Sequence, residues 1–156
     1  MKASSLSEIK KELQELEPKV LAELCLHLAK YKKDNKEFLS YLLFESHNKQ
    51  GFIAGIKSEI DAQFSEITQV NLYLVKKSLR KILRITNKYI KYMACKQTEV
   101  ELLLYFCNKL KQSGIPVHKS NVLTNLYNTQ VKKINTAISK LHEDLQYDFK
   151  NEVELL

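Results

Sequence analysis

Between Thr68 and Lys96 the chain carries eight Lys and Arg side chains and no Asp or Glu. Lys77, Lys81, Arg84, Lys88 and Lys91 follow one another at intervals of 4, 3, 4 and 3 residues. On a helix that turns by about 100° per residue, this spacing places them on one stripe. Lys76 and Arg80 flank it. The chemistry open to such a row is the holding of an anion: pairing with the carboxylates of an acidic protein or assembly, or release of counterions from nucleic-acid phosphates. Tyr73 and Tyr92 sit beside the stripe, where a phenol ring can stack on an unpaired base. Leu72, Val75, Leu79, Ile82, Leu83, Ile90 and Met93 lie opposite, so one helix is expected to bury one face and present charge on the other.

A second set of candidates lies toward the C-terminus. Residues 99–145 read as helix, loop, short helix, brief turn and longer helix, the outline of a helix-turn-helix unit. With a turn near Asn128, the last helix would open on Thr129, Gln130, Lys132 and Lys133, types that contact phosphates and base edges. Other site chemistries are missing. Three glycines build no phosphate-cradling loop, and there is no nucleophile elbow, His-Glu-x-x-His or Cys-x-x-Cys. His27, His47, His118 and His142 are scattered. His142-Glu143-Asp144 is the tightest His–acid cluster, but successive helical residues diverge, and it reads as a solvated helix end. Nothing supports an enzyme, and no metal or cofactor is expected.

These side chains need a frame, and composition indicates which. The chain has 156 residues, 44% hydrophobic and 28% charged, with three Gly and two Pro. That is ordinary globular composition with too few turn-formers for an antiparallel β fold. The expectation is an all-α single domain over 1–156, with seven or eight helices in a multi-helix bundle or a short α-α superhelix, fraying from about residue 148. Ser5 with Glu8 forms a capping box ahead of a helix to about Leu16. Pro18 opens a second helix to about Lys33. Asp34 with Glu37 caps a third, about Lys36 to Ser46, whose apolar residues on all sides predict a central position. Gly51 breaks the pattern or caps that helix, and Gly51 with Gly55 suggests close helix packing. A fourth helix carries Phe52, Ile53, Ile56, Ile60, Phe64 and Ile67. The basic helix runs from about Val70 to Cys95. Thr98 with Glu101 caps the next, which Ser113-Gly114-Ile115-Pro116 ends. Ser120 caps a short helix to about Tyr127, and a last one reaches about Tyr147.

The pattern Ile9-Lys10-Lys11-Glu12-Leu13, then Leu21, Leu24 and Leu28, then Asn35-Lys36-Glu37-Phe38-Leu39, resembles small uncharacterised bacterial all-α domains over about the first 45 residues. The resemblance implies a helical fold and transfers no activity or site residue. Cys25, Cys95 and Cys107 are odd in number and sit in apolar helical stretches, which fits a reduced, cytoplasmic protein. The N-terminus lacks an apolar signal region. The longest apolar run, Leu102 to Cys107, falls short of the about 20 residues a membrane span needs, so no insertion is expected.

The net charge of +7 is unevenly placed. Residues 67–142 hold 14 Lys and Arg against Glu99 and Glu101, while both ends are slightly acidic. Glu8, Glu12 and Glu15, or Glu143, Asp144 and Asp148, are candidates to neutralise the stripe internally. The expected function is a non-catalytic binding or scaffolding module that turns Lys77, Arg80, Lys81, Arg84, Lys88 and Lys91 toward an acidic protein or assembly. The alternative is nucleic-acid binding through the same stripe, with Tyr73, Tyr92, Gln130, Lys132 and Lys133.

Overall fold

The computed structural model describes residues 2–68 and 71–156. The fold is all-α and 82% helical, with eight α-helices and, among the described residues, no strand. Contacts divide the chain into two units, Met1–His47 and Asn48–Leu156, with no linker composition in the sequence to mark the division.

The first unit contains α1 (Leu6–Gln14), α2 (Pro18–Tyr31), α3 (Lys33–Ser40) and a wider turn at Tyr41–Glu45. The Ser5–Glu8 capping box forms as expected, and its hydrogen bonds hold the Glu8 carboxyl below its ordinary range. Pro18 occupies the start of α2, where no intrahelical N–H is needed. The third helix differs from its expectation. It begins at Lys33, so Asp34 and Glu37 lie inside it rather than capping it. After Ser40 the chain widens: Ser46 N–H donates to Tyr41 O, five residues back. Nor is this segment a core. Leu42, Leu43 and Phe44 are exposed, and Tyr41 is the unit's one buried residue among those described.

The second unit contains α4 (Lys49–Ser65), α5 (Leu72–Met93), α6 (Lys96–Gln112), a single 3₁₀ turn at Val117–Lys119, α7 (Asn121–Ile138) and α8 (Glu143–Glu154). The central position falls to α6, which packs against α4, α5, α7 and α8. It buries Val100, Leu102, Leu103, Leu104, Phe106, Cys107 and Leu110, so the run Leu102–Cys107 is core except for the half-buried Tyr105. Ile53, Ile56 and Ile60 of α4, Leu123, Ile134 and Ile138 of α7, and Phe149 of α8 close the same core.

The boundaries at Gly51, Thr98 and Asn128 differ from the sequence reading. Gly51 lies in the first turn of α4, where its N–H donates to Asn48 Oδ1 (3.0 Å). A Cβ there would collide with the Asn48 side chain, so glycine lets the cap close over the helix. Gly55 has open space where a Cβ would stand, so the pair makes no tight crossing. The expected start of the basic helix at Val70 lies outside the described residues, and α5 is capped by Asn71, whose Oδ1 accepts from Tyr73 N–H (2.9 Å). Thr98 does not open α6. It is buried within the first turn, and Cys95 holds the capping position. Finally, α7 runs unbroken through Asn128 and Thr129. The real break is at Ser139–His142, and α8 continues past residue 148 to Glu154, with Phe149 buried.

Two outcomes test these boundaries by urea denaturation. Asn128→Pro, harmless in a turn, is expected to cost about 3 kcal/mol or more because it removes a bond from the middle of α7. Ala94 ends α5 in the left-handed region at φ 47. Ala94→Gly relieves that conformation and is expected to stabilise the protein by about 1 kcal/mol.

A candidate anion-binding surface on α5

The two faces of α5 separate as its spacing requires. Val75, Leu79, Ile82, Leu83, Thr86 and Ile90 are buried, and Thr86 Oγ1 is satisfied by Ile82 O (3.0 Å). Lys77, Arg80, Lys81, Arg84 and Lys91 are exposed. Fourteen residues separate the first and last, so at about 1.5 Å per residue the row is about 21 Å long. Among the described residues of this unit, no carboxylate lies within ion-pair distance of these five. Glu143, Asp144 and Asp148 stand exposed on α8 and do not neutralise them. Lys88 is half-buried, with its Nζ 5.3 Å from the Tyr89 ring centre.

The contrast with the other cations of this unit is instructive. Lys57 pairs with Glu101 (2.7 Å) and Lys109 with Asp61 (2.9 Å), both joining α4 to α6, and Lys96 pairs with Glu99. Tyr105 Oη donates to Asp61 Oδ2 (2.7 Å). Burial opposes ionisation of Asp61, but Lys109 and Tyr105 outweigh it and hold its carboxyl below the usual range. Tyr105 is pushed up by burial and by the Asp61 carboxylate.

Two grooves adjoin the stripe. One, of about 580 Å³, is lined by Tyr73, Lys76, Lys77, Arg80, Lys81 and Arg84. The other, of about 430 Å³, lies between α5 and α7 and is lined by Arg80, Leu83, Val122, Asn125, Leu126 and Thr129, with Gln130. Arg80 belongs to both, and neither α5 nor α7 contains an Asp or Glu. This second groove escaped the sequence reading, because its walls come from helices some 40 residues apart and only their shared lack of acids hints at it.

The auxiliary residues fare unevenly. Tyr73 is exposed, and Lys76 Nζ lies over its ring at 4.8 Å. Tyr92 is half-buried and packs edge-on against Tyr89, whose own ring meets Phe52 at 87° and whose Oη bonds Glu59 Oε2 (3.1 Å). Gln130 is buried and its Nε2 donates to Leu126 O (3.2 Å), so it does not present itself to a base edge. Lys132 and Lys133 are exposed, but in the middle of α7 rather than in the first turn of a recognition helix. With no turn at Asn128, the expected helix-turn-helix outline is absent.

Lys49 Nζ stands 3.0 Å from Cys95 Sγ, a contact across 46 residues that no local pattern signals. Burial raises the Cys95 thiol, but Lys49 and the amide and hydroxyl of Thr98 outweigh it and bring it down to about 7. Cys107, buried in the core, is pushed up to about 12. Among the described residues, no three His, Cys, Asp or Glu side chains gather as a metal site requires, and no helix is long and apolar enough to cross a membrane.

The fold is all-α, and α5 carries a row of exposed cations. Compared with protein families, curated proteins and solved structures, the chain matches none.

The thiol geometry has a measurable consequence. In a Cys25→Ser background, alkylation of Cys95 by iodoacetamide should rise through a midpoint of about 7 as the thiolate forms. Lys49→Met should move that midpoint upward, while Cys107 stays unmodified until the protein unfolds.

Proposed function

We propose that the protein is a cytoplasmic, non-catalytic binding module that holds an acidic segment of another protein or assembly along α5. The observation that carries this reading is the exposed row Lys77, Arg80, Lys81, Arg84 and Lys91, which no carboxylate among the described residues of its own unit neutralises, although other cations of that unit are paired. Like charges three and four residues apart cost about 0.2–0.5 kcal/mol per pair on a helix. An anionic partner relieves that cost and gains from the field of the whole row. The apolar floor of Leu83 and Leu126 beside Arg80 adds a place for one aliphatic side chain of the same segment. Three free cysteines fit a reducing compartment.

Nucleic acid is the second reading, favoured by Tyr73, which is exposed beside Lys76. The buried Gln130 and the continuous α7 remove its base-reading part, leaving phosphate contacts and one stacking ring.

Fluorescence titration decides between them. A labelled Glu/Asp-rich peptide, single-stranded DNA and duplex DNA are each added across a salt series starting at about 20 mM, where screening is weak. Binding of the peptide, weakened on the order of tenfold by Lys77→Glu with Arg84→Glu and by added salt, is the expected result. Tighter binding of DNA with a log-linear salt dependence moves the assignment to nucleic acid. Absence of binding to all three at low salt refutes both.

A further inference from the structure

Of the seventeen large apolar side chains exposed among the described residues, twelve belong to Met1–His47, less than a third of the chain. Half-exposed side chains of this size present about 100 Å² each, so the total is on the order of 1,000 Å². Summed over the unit, this is comparable to the about 800 Å² each partner buries in a standard interface. Two features of this surface match each other. The first is α1. Leu6, Ile9 and Leu13 form its apolar stripe, all three are exposed, and no other helix packs closely against it. Glu8, Glu12 and Glu15 run along one side of that stripe. The second is a groove of about 370 Å³ between α2 and the α3 segment, lined by Leu28, Ala29, Phe38, Leu39 and Leu42 together with Cys25 and Asn35. Asn35 does not contest it, because its Nδ2 is committed to Leu28 O (2.9 Å). Beside the groove, the α2–α3 junction carries Lys30, Lys32, Lys33 and Lys36 against Asp34 and Glu37, with Lys33 within 3.7 Å of Glu37.

We infer that α1 of a second copy of this chain occupies the α2–α3 groove, with its apolar stripe on Leu28, Phe38 and Leu42 and its Glu8, Glu12 and Glu15 against the lysines of the junction. Stripe and groove reside on one chain, so a two-fold axis fills both grooves at once and closes the assembly as a dimer. The charge distribution favours this face over the rest of the molecule. Residues 1–47 hold eight basic and eight acidic side chains, whereas residues 48–156 hold 17 basic and 10 acidic. Two copies therefore meet through the first unit without net repulsion and repel through the second.

Sedimentation velocity on the full chain over a micromolar concentration series tests this directly. The expected species is a dimer in equilibrium with monomer. Ile9→Glu and Leu28→Glu each raise the dissociation constant on the order of tenfold or more, with the helical circular dichroism unchanged. Glu12 and Glu15 are exposed, as are Lys32 and Lys33, so reversing them leaves folding intact. Glu12→Lys with Glu15→Lys weakens the dimer, and adding Lys32→Glu with Lys33→Glu restores it. A monomer at every concentration, an open-ended assembly, or a dimer indifferent to Leu28→Glu and to the charge reversals overturns the inference.

Discussion

Burial of α6 is the constraint on which the second unit depends. Four helices converge on it, and in its run from Leu102 to Cys107 every residue but Tyr105 is buried. Each fully buried aliphatic or aromatic side chain contributes about 1.5–3 kcal/mol. A handful of such residues therefore exceeds any electrostatic interaction on the surface, where an exposed pair is worth about 0–1 kcal/mol. This ordering of magnitudes explains how α5 tolerates its charge. Val75, Leu79, Ile82, Leu83 and Ile90 fix the helix against the core, and the mutual repulsion of the lysines opposite is too small to dislodge it. The helix can then carry a charge pattern that contributes nothing to folding.

The α5 face was legible in the sequence because a helical period is a local signal. The stripe, the buried side and the capping box at Ser5 need only residues within about two turns of each other. The errors arose where tertiary contact overrides local type. The α3 segment and α6 both read as strings of apolar residues, and periodicity alone could not tell which was central. α6 is flanked by four helices that bury it, whereas Leu42, Leu43 and Phe44 remain exposed. Asn128-Thr129 looked like a break because both types favour turns, yet α7 passes through them, with Ile134 and Ile138 fixing the helix to the core. The end of α5 sent the opposite misleading signal: Ala94, a good helix former, takes the left-handed conformation usually left to glycine. Lys49–Cys95 and the α5–α7 groove join residues dozens of positions apart and have no sequence pattern at all.

The two units are stabilised on different terms. Ordering a residue costs about 1–2 kcal/mol of backbone entropy. The second unit offsets this with a contiguous core around Phe106, Leu79 and Ile134. The first, with Tyr41 as its one buried residue among those described, has little apolar burial to set against the same cost. Its helices are instead well punctuated, by the Ser5–Glu8 box, by Pro18, and by the Asn35 bond to Leu28 O. Capping limits fraying by about 1 kcal/mol per site and cannot replace a core. The exposed leucines of this unit are therefore the part of the molecule with the most free energy still to gain from association.

That asymmetry bears on how the basic face would act. A lone row of about five cations on one helix makes a salt-sensitive contact of modest strength, because each pair remains largely hydrated. Joining two copies through the first unit, whose charges sum to zero, would bring two such rows onto one particle without any change in the rows themselves. A second contact then forms at the effective concentration set by the spacing of the rows, and the overall affinity for a long or repeated polyanion rises with no stronger local contact. A short acidic segment would gain nothing. Under this arrangement the neutrality of the first unit and the one-sided charge of the second serve one end, since self-association through the basic face would cover the surface that is needed for the partner.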